Sequence, residues 1–572
     1  MSYSSQTLSL RNKRWRILHA GHVDDILKVL VDNREIRELD AFLEPDFNTH
    51  LHNPFLMPDM EKAVDMIRHV QKDNRTVMIV GDYDADGITG TALLYEMCKA
   101  IGIQDVRCRL PHRIRDGYGC QPHIIQEAIR DGVDLVITVD NGVSSHEAIA
   151  LAKQHGLQVI ICDHHTISDT LPDADAILHP KIEPCEYPFK DLTGVGVAYK
   201  LAQAVCPRLL PSKKAESFLK WNLDVVAIGT VADCATVMGE NRVLIKYGLM
   251  ILERLGRQKT TRRPGLQCLL KQCLGNTPTY DATLIGFRIA PRINAAGRLS
   301  HPDTSLKLLI TDNVAQAELL AKELQELNTR RQEQTITAVD EAEQQLREDI
   351  ASEKILIAKN RHWHPGIVGL IAGRLTEAHH RPSIIFHEQD NGDLVASARS
   401  TEQFNIIRAI TQQQGLLLRY GGHSQAAGCS MKPENYQAFC DKMKKITREA
   451  LTDDDLYPTL DIDCELQPEQ MTLELKRRID ALEPYGIGNM RPVFLLNKVE
   501  VQGINPVGRN GAHVQLWFRA RDKTIKGIAF QQGFLANKLA IGDTVNVACC
   551  LQENHWNGNI SVEIEVVDIK KG

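Results

Sequence analysis

Aromatic residues make up only 5% of this 572-residue chain, and no apolar run approaches the roughly 18 residues needed to cross a bilayer. The stretch from Met1 to Leu18 mixes Ser, Arg and Lys and lacks the apolar centre of a signal peptide. These absences predict a soluble protein that is not exported and works in the cytoplasm without a membrane. No Cys-x-x-Cys pair occurs among the 14 cysteines, and Cys162, Cys206 and Cys440 sit inside apolar runs. A thiolate zinc site is therefore not expected; reduced, buried thiols are. There is no internal repeat and no low-complexity tract.

Positive charge is in slight deficit, with a net charge of −6. As a sum this argues against a polyanionic partner, but the distribution matters more. Between Arg242 and Lys271 stand eight basic residues (Arg242, Lys246, Arg254, Arg257, Lys259, Arg262, Arg263, Lys271) against one acidic residue, Glu253. Arg107, Arg109, Arg113 and Arg115 form a second cluster. Solvated helix faces would produce either one equally well.

A chain this long exceeds one hydrophobic core and should divide into three or four domains. From Thr76 to Pro180, short apolar runs alternate with amphipathic stretches. Val77–Val80, Val106–Leu110, Leu135–Val139 and Val159–Cys162 read as buried strands, and Gly87–Ile101, Pro122–Asp131 and Ser144–Gln154 as helices. Such alternation predicts an α/β fold with a parallel sheet covered on both faces. A mostly helical stretch follows from Val195 to Leu309. Val314 to Ile350 has no proline or glycine and reads as one long connecting helix with a break near Asn328.

A second alternating block starts at Lys354. It has a helix after His364-Pro-Gly, strands at Pro382–His387 and Leu394–Arg399, and a glycine-rich turn at Gly421-Gly422-His423. The acidic Thr452-Asp-Asp-Asp ends this smaller α/β lobe as a linker. Beyond Thr459, about five short β-rich runs suit a small closed barrel of the oligonucleotide-binding kind. The expected division is 1–50, 51–310, 311–350, 351–452 and 453–572.

Three predicted strands run into aspartates at their carboxyl ends: Asp82-Tyr-Asp84-Ala-Asp86-Gly87, Asp140-Asn-Gly, and Asp163-His164-His165. Carboxyl ends line the ligand crevice of an open α/β sheet. A spacing of two points Asp82, Asp84 and Asp86 the same way on an extended backbone, and Gly87 permits the turn into the next helix. So many carboxylates repel one another unless a cation is present. Oxygen ligands with one or two imidazoles suit Mg²⁺ or Mn²⁺ better than zinc. Two ions about 3.5–4 Å apart could clamp a phosphodiester. Asp233, ending an apolar segment from Asp224, is either a further ligand or a helix cap.

Together these segments resemble the DHH phosphoesterase superfamily, named for the triplet that stands here at Asp163-His164-His165. The likeness is greatest to its single-strand-specific 5′→3′ exonucleases. It spans nearly the whole chain and includes Gly229-Thr-Val-Ala-Asp233, Pro291-Arg-Ile-Asn-Ala-Ala-Gly-Arg298, Trp363-His-Pro-Gly-Ile-Val-Gly369, Ser397-Ala-Arg-Ser400 and Gly421-Gly-His423.

The resemblance implies that Asp82, Asp84, Asp86, Asp140, His164 and Asp233 bind two ions, with Asp140 as the bridge. His165 would face the scissile phosphate and Asp163 would orient the histidines. The second lobe resembles the DHHA1 domain, in which Ser397, Arg399, Gly422 and His423 would hold a terminal phosphate together with Arg292 and Arg298 of the family's basic segment in the first lobe, so that each cut releases one mononucleotide. Trp517, Phe518, Phe530 and Trp556 of the barrel are candidate stacking platforms for single-stranded DNA. The family also suggests a single-strand-binding protein and a RecQ-type helicase as partners, and a monomer is expected. Competing readings are a phosphodiesterase of short oligonucleotides or cyclic dinucleotides, and a non-catalytic replication scaffold.

Overall fold

The computed structural model describes residues 8–21, 23–167, 170–257, 262–274, 279–556 and 558–571. In the first lobe, Val77–Val80, Val106–Arg109, Leu135–Val139 and Gln158–Cys162 are strands, joined by Ala176–Leu178, which periodicity did not single out. All neighbouring pairs are parallel. The central strands are buried throughout, because helices cover both faces.

In space the order is Val106–Arg109, Val77–Val80, Leu135–Val139, Gln158–Cys162, Ala176–Leu178. The chain leaves the first strand toward one edge, then crosses back over it to begin the third. The connections part between Val77–Val80 and Leu135–Val139, which opens a crevice at their carboxyl ends. Asp82 and Asp140 follow these two strands.

The helix after the first strand begins at Ala85, two residues earlier than the apolar pattern predicts. Asp84 is the reason: its Oδ1 accepts the backbone N–H of Asp86 at 3.0 Å and of Gly87 at 3.2 Å, satisfying donors that a helix start leaves open. The three aspartates therefore converge across a turn and a helix start, not along an extended strand. Gly87 lies inside the first helical turn. A Cβ there would stand 2.4 Å from the Asp82 nitrogen, so close approach and not a sharp bend requires glycine.

The connecting helix, Val314–Gln345, passes Asn328 unbroken. Asn328 is buried and its Oδ1 accepts from Arg331 at 2.6 Å, so its side chain does not compete for the backbone. The break falls at Leu346, before Arg347–Ser352. In the second lobe the sheet order is Arg419–Gly422, Ala426–Met431, Leu394–Arg399, Ser383–Glu388, Leu356–Asn360. Gly421 and Gly422 thus belong to an edge strand instead of a turn.

Five strands, Phe494–Val507, His513–Ala520, Lys523–Ala529, Thr544–Trp556 and Asn559–Lys571, close into a barrel because the first also pairs with the fourth. Arg14–His19 extends this sheet by pairing in parallel with Thr459–Glu465. Val23, Ile26, Leu30 and Phe42 lie in the barrel's hydrophobic core. Arg14–His19 and the stretch from Val23 to Phe42 therefore pack with the C-terminal domain, whereas Phe47 already lies in the core of the first lobe. The acidic stretch after Thr452 is tethered, not loose: Asp453 pairs with Lys354 at 3.0 Å, and Asp454 with Arg14.

Much of the basic cluster between Arg242 and Lys271 serves the fold and not a polyanion. Arg242 is buried and donates to the carbonyls of Phe42 (2.6 Å), Leu482 (3.0 Å) and Glu483 (2.7 Å). Lys246 donates to the Leu43 carbonyl. Arg263, also buried, pairs with Asp224 at 3.1 Å and Glu96 at 3.0 Å. Lys259 lies outside the described residues. Arg242 thereby ties a helix of the first lobe to the C-terminal domain. Arg242→Ala leaves those carbonyls buried without a donor and should destabilise the junction by about 3 kcal/mol. Limited proteolysis should then cut between the lobes, and the first thermal transition should fall by several degrees.

Candidate metal centre and phosphate cleft

Each acidic group reaches the crevice by a different local device. Asp82 follows its strand directly; it is buried, and its Oδ1 has no hydrogen-bond partner among the described residues. Asp86 sits in the first turn of Ala85–Ala100, where it accepts the backbone N–H of Gly194 at 2.7 Å and of Val195 at 2.9 Å. Those N–H groups open the helix Gly194–Leu209, so its dipole also favours the carboxylate. Asp140 adopts φ 62°, a left-handed conformation that turns its side chain back over the sheet. Gly194 makes room for it: a Cβ there would lie 2.4 Å from the Asp140 Cβ. Asp233 is the residue immediately after the helix Leu223–Ala232, as the sequence allowed.

These side chains converge. One oxygen or ring nitrogen from each of Asp82, Asp84 and Asp140 lies within 4.8 Å of the others, and the same holds for Asp86, His164 and Asp233, and for Asp140, His164 and His165. His164 links the groups: its Nε2 is 3.1 Å from Asp140 and 3.8 Å from both Asp86 and Asp233. Asp163 holds the histidine loop. It accepts the N–H groups of Val143 (2.9 Å), His164 (2.8 Å) and His165 (3.2 Å), and the His165 ring nitrogen at 2.8 Å.

The charges respond to this crowding. Burial and the neighbouring Asp84 push Asp82 well above the usual carboxylate range and Asp86 up to about 7. Burial and then Asp86 raise Asp140 strongly and Asp233 to about 8, although Asp233 keeps 32% of its side chain exposed toward the cleft. Burial alone would also raise Asp163, but the hydrogen bond and charge of His165 outweigh it and hold the acid near 2. His165 rises to about 9, because its bond to Asp163 overcomes the burial that would lower it. Burial and the charge of His165 lower His164 to about 3, leaving the neutral imidazole that ligates a cation. Four carboxylates that resist ionisation, one with an orphaned oxygen, are the donor set a divalent cation fits.

Three further residues of the site were not read from the sequence. Tyr118 donates its hydroxyl to the Asp140 carbonyl at 3.1 Å and stands edge-on to His165; the glycines on both sides of it were the only signal. His179, fully buried, bonds the His165 carbonyl at 2.8 Å, and Lys181 bonds the His164 carbonyl at 3.0 Å. Nothing in local spacing marks these two, which reach back across a strand.

Across the cleft, Arg399 donates to the Ser397 hydroxyl at 3.0 Å, beside Gly369 at the start of the helix Val368–His379. Arg298 bonds the Gly366 carbonyl at 3.2 Å, and burial with the charges of Arg113, Arg331 and Arg399 lowers it to about 9. Arg113 stacks on Tyr83 at 3.9 Å. His423 follows Gly422, and its Nδ1 lies 3.4 Å from the Thr166 hydroxyl, one residue past the triplet. Arg292 turns elsewhere, bonding Gln325 and the Arg288 carbonyl, because helical spacing points it away from Arg298.

In the barrel, Phe518 is fully buried core, since alternation along His513–Ala520 turns it inward while Trp517 is half-buried over Gly503. Phe530 is 48% exposed. The side chain of Trp556 lies outside the described residues.

Family models match along the chain: the DHH family N-terminal domain at residues 76–230, the DHHA1 domain at 352–449 and the RecJ OB domain at 462–568. The single-stranded-DNA-specific exonuclease RecJ of Dickeya dadantii is 33% identical over 89% of this chain and 90% of its own length. That of Bacillus subtilis is 33% identical over 90% of the chain, which spans 64% of that longer relative. The crystal structure of RecJ from Thermus thermophilus in complex with Mn²⁺ superposes with a TM-score of 0.83 at 30% identity, covering 98% of this chain and 80% of that one. By sequence, domain order and three-dimensional structure, the chain belongs to the RecJ family of DHH phosphoesterases.

Proposed function

We propose that the chain is an exonuclease that degrades single-stranded DNA from the 5′ end to mononucleotides by two-ion phosphodiester hydrolysis, with Mn²⁺ or Mg²⁺. The observation that carries this reading is the convergence of Asp82, Asp84 and Asp140, and of Asp86, His164 and Asp233, around a shared His164–Asp140 contact of 3.1 Å. In this reading Asp82, Asp84 and Asp140 would hold one ion, and Asp86, His164 and Asp233 the other. The ions, when bound, supply Lewis acidity that lowers the pKa of water and neutralises charge on the reacting phosphate.

The chain's own residues do the rest. Asp163 fixes the ring of His165, whose proton, held up to a pKa of about 9, faces the scissile phosphate as a positive hydrogen-bond donor. Ser397, Arg399, Arg298, Gly422 and His423 form the cradle for the terminal phosphate, and the fixed span from cradle to metal centre sets one nucleotide per cut. Arg292 is the weakest member of that set, since its guanidinium is engaged elsewhere.

A cavity of about 960 Å³ between the second lobe and the C-terminal domain counts Arg399 among its lining residues, and it supports a strand path from barrel to cradle. Arg16, Arg34 and Arg491 along its wall pair with Asp461, Asp463 and Glu565. Stacking on Trp517 or Phe530 would add roughly 1–3 kcal/mol per base. In this reading the enzyme works in the cytoplasm as a monomer, in DNA repair and recombination, beside a single-strand-binding protein and a RecQ-type helicase; the family's substrate, single-stranded DNA, is what supports it.

Strands labelled at the 5′ or 3′ end, single or duplex, with and without Mn²⁺, test substrate, polarity and metal together. The expected result is metal-dependent release of mononucleotides from the 5′ end of the single strand alone; release from the 3′ end sinks the reading. Asp140→Ala should lose on the order of 10³-fold or more in kcat while keeping its fold by circular dichroism.

Protonation gives a separate check. Asp86 near 7, Asp233 near 8 and His165 near 9 all hold protons in the metal-free fold that the unfolded chain releases at lower pH. Stability of the metal-free protein should therefore fall as pH rises from 6.5 to 9, since the folded state binds more protons throughout that window. Thermal melts in EDTA should show this decline, and Mn²⁺ should flatten or reverse it, because ion binding grows as the carboxyls deprotonate.

A further inference from the structure

A cavity of about 600 Å³ on the second lobe takes no part in the reaction as proposed; Gln389, Asp393, Val395, Arg419, Gly421 and Ser430 line it. Its position follows from strand register. Leu394, Ala396 and Ala398 are buried, so Val395, Ser397 and Arg399 share the opposite face of their strand. Pairing sets Gly428 beside Ser397 and Ser430 beside Val395, then Gly421 beside Gly428 and Arg419 beside Ser430. The cavity is thus a trough, floored by small residues, that continues the phosphate cradle along one sheet face. Two residues of strand, about 7 Å, separate Ser397 from Val395.

Its direction is equally fixed. His423, next to Gly422, contacts Thr166 beside the histidine triplet, so the metal centre lies at the Arg399 and His423 end. The trough leads away from it, toward Arg419 and Asp393. A strand gripped by its terminal phosphate at Ser397 and Arg399, with its first internucleotide bond at the metals, puts nothing there. Arg419 is exposed and joins no carboxylate among the described residues, whereas Asp393 is paired with Lys432 at 2.8 Å.

We propose that this trough receives a group attached to the 5′-terminal phosphate: a nucleoside joined to it through a 5′–5′ pyrophosphate. The chain then removes the first nucleotide of a blocked strand together with its block. This inference rests on the reading of Ser397 and Arg399 as the terminal-phosphate cradle. The volume lies within the range of small-ligand sites, about 300–1,000 Å³. Arg419 meets the added phosphate charge, and the Gln389 amide and Asp393 offer hydrogen bonds to a base. The chemistry is unchanged. Water adds to the phosphorus of the first internucleotide bond, the P–O3′ bond breaks, and O3′ takes a proton. The pyrophosphate stays intact, the capped nucleotide leaves with a free 3′-hydroxyl, and the remaining strand begins with a 5′-phosphate.

Single strands of one sequence, ending in 5′-phosphate, 5′-hydroxyl or 5′-phosphate joined to AMP, provide the test, with first products identified by mass spectrometry. The wild type should cut the AMP-capped strand with a kcat/KM within about tenfold of the 5′-phosphate strand and release the capped nucleotide whole. Ser430→Phe, which fills the trough, should lower kcat/KM for the capped strand at least tenfold, to about a tenth or less, and leave the 5′-phosphate strand within about twofold. Activity on that second strand reports folding. Should Ser430→Phe not fold, Arg419→Ala at its exposed position should still cost about threefold or more on the capped strand alone. The inference is overturned if the capped strand is not cut, or if both variants affect the two strands equally, which would put the ordinary terminal base in the trough. Absence of any preference for 5′-phosphate over 5′-hydroxyl would instead remove the cradle reading itself.

Discussion

Buried carboxylates that repel one another are the constraint around which the first lobe is arranged. Asp82, Asp86 and Asp140 are almost wholly withdrawn from water, and beyond that burial the charge of Asp84 raises the proton affinity of all three, with Asp86 and Asp82 adding to it at Asp140. Such a set is costly to bury, by several kcal/mol per unpaired ion, and the fold bears the cost at the crevice where its strand connections diverge. Backbone N–H groups from the helix Gly194–Leu209 offset part of it at Asp86. Among the described residues no such donor reaches Asp82 Oδ1. A divalent cation removes the remainder, which makes the strain of the metal-free site a measure of the affinity it is built to express.

Hydrogen bonds around the carboxylates hold the histidine loop from both sides. Asp163 spends all its acceptor capacity on the histidine loop and on Val143. His179 and Lys181 hold the carbonyls of His165 and His164 from the other side. Asn141, buried beneath, donates to Val80 and Val139 and so stitches the two strands that flank the crevice. Ligand geometry is therefore set by groups that never touch an ion, as is usual for well-ordered metal sites.

The remaining lobes act on this centre by position. The unbroken helix Val314–Gln345 joins the first lobe to the second, whose His423 meets Thr166 beside the histidine triplet. The C-terminal barrel is bound into the molecule by Arg242, by the N-terminal strand Arg14–His19, and by the Ile487 carbonyl, which accepts the Val237 N–H at 2.8 Å only a few residues past Asp233. The barrel is thus anchored to the element that carries Asp233.

The parallel sheet, the acidic strand ends, the long helix and the five-strand barrel were all legible in the sequence. Apolar runs, 2.0 and 3.6 periodicities and turn residues are local signals, and the aspartates fall at strand ends because chain direction is itself local. The aspartates at the strand ends could therefore be singled out before any coordinates, whereas His164 and Asp233 joined them as ligands only through the family resemblance, Asp233 reading equally as a helix cap from periodicity alone. Tertiary structure decided what depends on residues far apart. It joined residues 14–19 to 459–465, separated Arg292 from Arg298, buried Phe518 and turned Arg242 and Arg263 from an apparent basic patch into internal ties. It also supplied His179, Lys181 and Tyr118. Sequence spacing specifies which way a side chain points from its own element; which partner stands opposite is fixed only when the elements pack, because burial and pairing are properties of the assembled chain.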